Sequence, residues 1–377
     1  MKTLFISNDP LIFDATSAVR ARMREYASHM EELHIISRAP LGAVEEQDGT
    51  LFLHPYLGGK LAAQLLMPPL ARALILARGI QVVSAQDPFE YGRIAVMAVQ
   101  GTSAKLHIQV HTDFLSPWFT KGGGFRSIAV RMPAINSARV KLAERVLPKA
   151  QGIRVVSERI KASLVARYGT RIVEPTVIPV AVSSTAVDSV PLPASFPFSL
   201  MTTGRLEPEK RIEDILMAVG RLKERYPSLG LIVVGDGSRR ASLEKLSEKL
   251  GISERVVFTG WRTDAEGLLR SASAYIQASA YEGYSRTLIE AALAKVPIIT
   301  TDVGIVGEVF RGYQEVLSAP VADPAALSVH IAGLIDDHQA RLTFVMNAEQ
   351  AAKAHLAQFA NVPELIVRDL EAVLTRA

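Results

Sequence analysis

Short apolar runs alternate with amphipathic stretches along almost the whole chain. Thr3–Ser7, His34–Ser37, Val82–Ala85, Leu106–Val110 and Ile153–Ser157 read as strands in the first half. Ser199–Thr203, Leu231–Gly235, Val256–Thr259, Ala274–Ala278 and Pro297–Thr300 do so in the second. Runs such as LIVV and YIQAS carry no charge, as strands buried on both faces do. Between the strands, Ser17–Met30, Ser127–Leu147, Ile212–Arg225, Ser238–Leu250 and Thr287–Ala294 have helical patterning. Strand and helix in alternation predict parallel sheets covered on both faces.

The pattern stops at SSTAVDSVPLPASFP, Ser183 to Pro197, which reads as a connector. The expected organisation is a Rossmann-like α/β domain over 1–182, a linker over 183–197 and a second Rossmann-like domain over 198–360. In 361–377, Leu365, Ile366, Leu370, Val373 and Leu374 fall at helical spacing, so a C-terminal helix is expected to pack back on the first domain.

Composition narrows the picture. The 377 residues suffice for two cores, and about half are apolar. Cysteine is absent, which excludes disulfides, thiolate metal sites and a cysteine nucleophile, and points to a reducing compartment. The opening MKTLFISNDP has too short an apolar run for a signal peptide. Leu61–Arg78, the most apolar long segment, is interrupted by Gln64, Pro68-Pro69 and Arg72, and so does not read as a membrane span. A cytoplasmic protein is the expectation. The net charge of +4 is uneven: 126–149 holds six cations against Glu144, interleaved with Ile128, Val130, Met132, Ile135, Val140 and Leu142. Two readings fit that segment, a solvated helix face and a peripheral contact with anionic membrane on its inner surface. Without aromatic interleaving, nucleic acid is not an expected partner.

Three stretches of the second half carry chemistry. TTGRLEPEKR, Thr202 to Arg211, follows a strand and precedes a helix. Ligands of open α/β sheets bind at the carboxyl ends of strands, where Arg205 and Lys210 are suited to a diphosphate; taken alone, the stretch reads equally as a solvated loop. VVGDGSRR is a glycine turn at Gly235 and Gly237 that lacks the third glycine of a dinucleotide fingerprint. It reads equally as a nucleotide-facing turn or a tight strand-to-helix turn. In YEGYSRTLIEAALAK, Ser285 is the expected N-cap of a helix starting near Arg286, with Glu282 before the cap and Glu290 one turn inside. A helix N-terminus attracts phosphate, whereas a carboxylate accepts from paired sugar hydroxyls. Taken singly, Glu290 reads rather as a complement to the helix dipole and Glu282 as a solvated loop residue.

In combination these stretches resemble the retaining, nucleotide-sugar-dependent glycosyltransferases of family four, which have the GT-B fold: two Rossmann-like domains whose parallel sheets face each other across a cleft. The resemblance covers roughly 199–309. It rests on G-R-L-x-x-x-K-R at Gly204–Arg211, V-G-D-G at Val234–Gly237, E-x7-E at Glu282 and Glu290, and the glycine turn and glutamate of TDVGIVGEV, Thr301 to Val309. It implies transfer of a hexose from a nucleotide-diphosphate sugar, without cofactor or metal, to an acceptor that the sequence leaves unidentified, such as a cell-envelope lipid or glycan precursor. Arg205 and Lys210 would hold the diphosphate, Glu290 the ribose and Glu282 the transferred sugar. The backbone of Gly283, Tyr284, Ser285, Thr287 and Leu288 would meet donor oxygens, and Trp261 and Arg262 would lie near the base, Trp261 being equally well placed in a core. By the same resemblance His111, at a strand end, faces the donor sugar. The paired glycines that many members carry after the first strand are replaced by Ala15-Thr16-Ser17. There Ser17 is a helix cap, and Arg20 and Arg22 are candidate sources of charge. The alternatives are a nucleotide-sugar-binding GT-B protein without turnover, and a GT-B epimerase or phosphorylase.

Overall fold

The computed structural model describes residues 1–121, 131–182 and 187–376. The chain divides into two compact units. One comprises Met1–Leu115, Ala134–Pro179 and Asn361–Ala377; the other comprises Ser116–Pro133 and Val180–Ala360.

In chain order the first unit begins with β1 (Lys2–Ile6), α1 (Ala18–Ser28), β2 (Glu32–Arg38), β3 (Glu46–Asp48), β4 (Leu51–Tyr56), α2 (Lys60–Arg78), β5 (Val82–Ala85), α3 (Glu90–Val99) and β6 (Lys105–Val110). The chain then passes through α4 (Pro117–Lys121) and returns with α5 (Arg131–Val146), β7 (Gly152–Val155), α6 (Glu158–Tyr168) and β8 (Thr176–Val177). The eight strands form one sheet in the order β3-β4-β2-β1-β5-β6-β7-β8, parallel except for the β3–β4 pair. β1 is central, pairing Phe5 with Ile35 on one side and Ser84 on the other. Leu4, Phe5, Ile6, Val82, Val83, Ile108 and Val110 are buried throughout, as a doubly covered sheet requires.

The second unit contains β9 (Phe198–Thr203), α7 (Ile212–Leu222), β10 (Leu229–Val234), α8 (Arg240–Leu250), β11 (Val256–Gly260), α9 (Ala265–Leu269), β12 (Ala274–Gln277), α10 (Arg286–Leu293), β13 (Ile298–Thr301), β14 (Leu317–Ala319), α11 (Pro324–Asp336) and α12 (His338–Gln358). Its six parallel strands run β11-β10-β9-β12-β13-β14. The order reverses between β9 and β12, where the connections leave on opposite sides and open a crevice at the strands' carboxyl ends. Ile215, Leu216, Val219, Leu231, Val233 and Ile276 form the core beneath it.

Three expectations change here. The first domain is not the uninterrupted stretch 1–182, because the described part of 116–133 groups with the second unit. There Trp118 lies under the Arg211 guanidinium at 5.6 Å, and Phe119 meets Tyr281 edge to face at 5.4 Å. The connector is not free of structure throughout: Val190 donates to the Gly267 carbonyl at 2.9 Å, while 183–186 lie outside the described residues. Of the basic 126–149 segment, Arg126, Ile128 and Val130 also lie outside them, and the described helix begins at Arg131.

The last helix, α13 (Val362–Thr375), is part of the first unit. Asp369 on α13 accepts a hydrogen bond from His107 Nε2 on β6 at 3.0 Å, with both side chains buried. Burial pushes the Asp369 carboxyl up, but the His107 hydrogen bond and charge outweigh that and hold it below the usual aspartate range. The contact therefore contributes fully above the unfolded aspartate pKa of about 3.9, and its contribution is lost as pH falls through the lower folded value. Asp369→Ala leaves His107 buried without its partner and should cost about 3–5 kcal/mol. Urea denaturation at neutral pH and at pH ~3 checks this: the difference between parent and variant should shrink in acid.

Candidate functional site

Parallel pairing of β9 with β12 places the loops that follow them side by side. The Ala280 amide donates to the Glu209 carbonyl at 2.7 Å, tying the two loops through backbone. Lys210 then reaches Glu282, Nζ to Oε1 at 2.5 Å, and Ser279 Oγ donates to the same oxygen at 2.7 Å. Both charged side chains are largely shielded. Two residues with separate expected tasks, one for phosphate and one for sugar, thus form one ion pair. Arg205, its expected partner, is 70% exposed and bonds Glu209 at 3.1 Å. The adjacent Arg211 is structural: it adopts φ 49°, forks onto Asp214 at 2.6 and 3.0 Å, and is buried.

The glycines of the first two motifs are there for close packing. Gly235, at φ 136°, passes so near Gly204 that an added Cβ would lie 1.9 Å from its carbonyl oxygen. A Cβ on Gly237 would lie 2.6 Å from the Leu206 carbonyl oxygen. Leu206 donates to the Asp236 carbonyl and accepts from the Arg239 amide, each at 2.9 Å. Ser238 Oγ donates to Glu207 at 2.6 Å. The VGDG turn therefore braces the loop carrying Arg205 and Lys210, which is the tight-turn reading of that motif.

At the start of α10 the expected cap is half right. Ser285 occupies the N-cap position, but at φ 69° and ψ 58°, and its hydroxyl makes no capping hydrogen bond. Instead Ser285 Oγ accepts from Gln277 Nε2 at 3.3 Å, and Thr287 Oγ1 donates to Gln277 Oε1 at 3.2 Å. A left-handed L-residue costs about 1–2 kcal/mol. It is held there by Gln277 at the end of β12 and by Gly304, where a Cβ would stand 2.4 Å from Ser285 Oγ. The result is a helix N-terminus without a side-chain cap, three residues after Glu282 of the Lys210 pair. Glu290, one turn in, is mostly buried and bonds Arg286 at 2.8 Å. Burial pushes its carboxyl above the ordinary range, against the pull of Arg286.

Several expected ligand contacts resolve into backbone or core. The Tyr284 side chain is buried and hydrogen-bonded to His355 Nε2 at 2.8 Å, and Leu288 is fully buried, so only their backbones can serve a ligand. Trp261 is 74% exposed, which removes the core reading. Arg262 is held by Asp264 at 2.6 and 2.7 Å. Gln277 has one signal in the sequence, a polar residue at the end of an otherwise apolar strand.

In the first unit, His111 follows β6 and its Nε2 lies 3.1 Å from Gln109 Oε1. Gln109 Oε1 also accepts from buried Arg154 at 2.9 Å, while Gln109 Nε2 donates to Ser84 Oγ at 3.1 Å. Ser84 in turn bonds His107 Nδ1 at 2.8 Å, and His107 bonds Asp369. Because the Gln109 oxygen can only accept, His111 carries its proton on Nε2 and leaves Nδ1 as an acceptor. Surrounding protein first, then the charges of Arg154 and Arg22, depress its pKa, so the imidazole is neutral at pH 7 although its edge is open to solvent. Ser17 caps α1 as expected, accepting from the Arg20 amide at 3.0 Å. Arg20 supplies no free charge, being buried against Asp48 and Glu46 at 3.1 Å each.

Comparison with known proteins places this geometry. Residues 192–351 match the family described as glycosyl transferases group 1. Over 147 residues the chain is 31% identical to the glycogen synthase of Mycobacterium tuberculosis, 38% of this chain and 36% of that protein. Over 118 residues it is 33% identical to the lipopolysaccharide core biosynthesis glycosyltransferase LpsE of Rhizobium meliloti, 31% of this chain and 33% of that protein. The chain thus spans about a third of the length of these curated relatives. Among solved structures, sucrose-phosphate synthase from Thermosynechococcus elongatus superposes with a TM-score of 0.81 at 18% identity, covering 99% of this chain and 100% of that one. Anabaena HepE, in complex with UDP and glucose, gives 0.73 at 18% identity over 98% and 99%. The chain therefore has the GT-B fold, and its residues 192–351 carry the sequence pattern of glycosyl transferases group 1.

Proposed function

We propose that this protein is a retaining glycosyltransferase that transfers a hexose from a nucleotide-diphosphate sugar without a metal ion. The observation that carries the reading is the Lys210–Glu282 ion pair beside an uncapped helix N-terminus. A cation and uncapped N–H groups converge where a diphosphate would sit, and two carboxylates flank them. The match of 192–351 to glycosyl transferases group 1 supports the same assignment.

In this reading the donor's diphosphate takes over Lys210 and the first-turn amides of α10, and Arg205 swings from Glu209 to join them. Those groups stabilise the negative charge that grows on the departing phosphate as the glycosidic bond breaks, which is electrostatic catalysis by preorganised donors. Glu282, released from Lys210, accepts from hydroxyls of the transferred sugar. Glu290 accepts from the ribose diol. The acceptor hydroxyl attacks on the face from which the leaving group departs and passes its proton to the departing phosphate, so the chain need supply no carboxylate nucleophile. A lipid or glycan precursor of the cell envelope is the acceptor class we assign.

A thermal-shift screen across UDP-, GDP- and ADP-sugars should show one series raising Tm, with no added divalent cation and no loss on adding chelator. Lys210→Ala should remove that shift. With the matching donor, the same substitution should lower turnover by roughly 10²–10³-fold, the scale of one lost oxyanion donor. If no nucleotide sugar stabilises the protein, or Lys210→Ala responds like the parent, the assignment fails.

Glu290 gives a pH signature. Its carboxyl titrates above the ordinary glutamate range because it is buried, and only the ionised form accepts from both ribose hydroxyls. Nucleotide affinity should therefore begin to fall on acidification at a pH above the usual glutamate titration near 4.3. In Glu290→Gln the affinity should be lower at neutral pH and flat on acidification, as read by calorimetric titration.

A further inference from the structure

The second unit carries a cavity that the nucleotide-sugar site does not use. It lies between the turn leading into β14 and one side of α12. Its volume is about 650 Å³, within the range of small-molecule sites, about 300–1,000 Å³. In a parallel sheet, the turn that enters β14 lies at the amino ends of the strands. Lys210, Glu282 and the start of α10 follow strands at the carboxyl ends. The cavity is therefore at the opposite end of the sheet from those residues.

Tyr313 forms part of the wall, and folding alone does not account for it. Its backbone is left-handed, at φ 62°, a conformation that is strained for a bulky side chain and unstrained for glycine. Its ring is 68% exposed and meets His330 edge to face, with centroids 5.6 Å apart. The residue thus adds strain and buries little. What it does supply is an aromatic face at a cavity, and strained positions of this kind gather at ligand sites.

The lining specifies the ligand. Arg311 and Glu315 bind each other: the guanidinium donates to the carboxylate at 2.6 and 3.2 Å and the Arg311 amide does so at 2.8 Å. They are the only charged side chains among the described lining residues, and their charges cancel. The remaining polar groups are neutral. Asn347 gives one amide hydrogen to the Gln314 carbonyl at 2.9 Å. The side-chain amides of Gln314 and Gln350 and the Tyr313 hydroxyl have no hydrogen-bond partner among the described residues. A carboxamide presents a donor and an acceptor side by side, which matches neighbouring hydroxyls on a sugar. An aromatic face matches the C–H face of a pyranose ring. A phosphate would find no net positive charge here, and an apolar ligand would bury these amides without partners. We propose that this cavity binds a neutral oligosaccharide, with a pyranose ring against Tyr313 and its hydroxyls on Gln314, Asn347 and Gln350. The inference goes beyond the nucleotide-sugar reading and does not depend on it.

The test is a screen of the full chain against an array of neutral di- to tetrasaccharides, with sulfated oligosaccharides and peptides as comparison arms. Hits are then titrated by calorimetry. A neutral oligosaccharide should bind. Tyr313→Phe should keep that affinity within about threefold, because the ring face is retained. Tyr313→Gly should weaken it roughly tenfold or more. The glycine variant should also keep the parent's Tm, since relief of left-handed strain offsets the added freedom of the unfolded chain. That separates a ligand role from a structural one. Its thermal shift with nucleotide sugar should match the parent's, which separates this site from the one at Lys210. The inference is overturned if no neutral oligosaccharide binds, or if only sulfated sugars or peptides do. It is equally overturned if Tyr313→Gly binds the sugar like the parent, which would place the ligand elsewhere.

Discussion

The candidate site depends on one feature of strand order, the pairing of β9 with β12 in the second sheet. Two stretches more than seventy residues apart in sequence become adjacent loops, and an ion pair of 2.5 Å between Lys210 and Glu282 closes the gap between them. Every other element of the site is arranged around that meeting. The β10 turn lies against the β9 loop because β10 is β9's other neighbour, and the β13 loop lies against the start of α10 because β13 neighbours β12.

Close approach has consequences that a sequence motif by itself conceals. Gly235 and Gly237 bring one turn within contact of another, leaving no space for a Cβ. Gly304 does the same under Ser285. With it comes a strained, left-handed Ser285 that starts α10 without a side-chain cap. Local strain of about 1–3 kcal/mol persists only where surrounding contacts over-determine it. Here Gln277 and the Ile305-to-Tyr284 backbone hydrogen bond supply those contacts.

Most strands of both sheets were legible to within a few residues, because uncharged β-branched runs admit few other readings. β4 was not, since Pro55 within LFLHPY argues against a strand; its place near the sheet edge tolerates it. In α2, Pro68-Pro69 interrupts the helical pattern, yet the helix runs through both. The site residues that follow strands β9 and β12 were visible as motifs. What sequence could not carry was pairing: Lys210 with Glu282, Tyr284 with His355, and Asp369 with His107 across 262 positions. Each depends on tertiary contact that neither propensity nor periodicity encodes. The exposure of Trp261 was undetermined for the same reason.

The central claim is that the Lys210–Glu282 pair is a resting state which a diphosphate displaces. A crystal structure with the nucleoside diphosphate selected by thermal shift tests it most directly. The account predicts phosphate oxygens within hydrogen-bond distance of Lys210 Nζ and the first amides of α10, the ribose on Glu290, and Glu282 released. A nucleotide bound elsewhere, or bound here with the 2.5 Å Lys210–Glu282 contact unbroken, would contradict it.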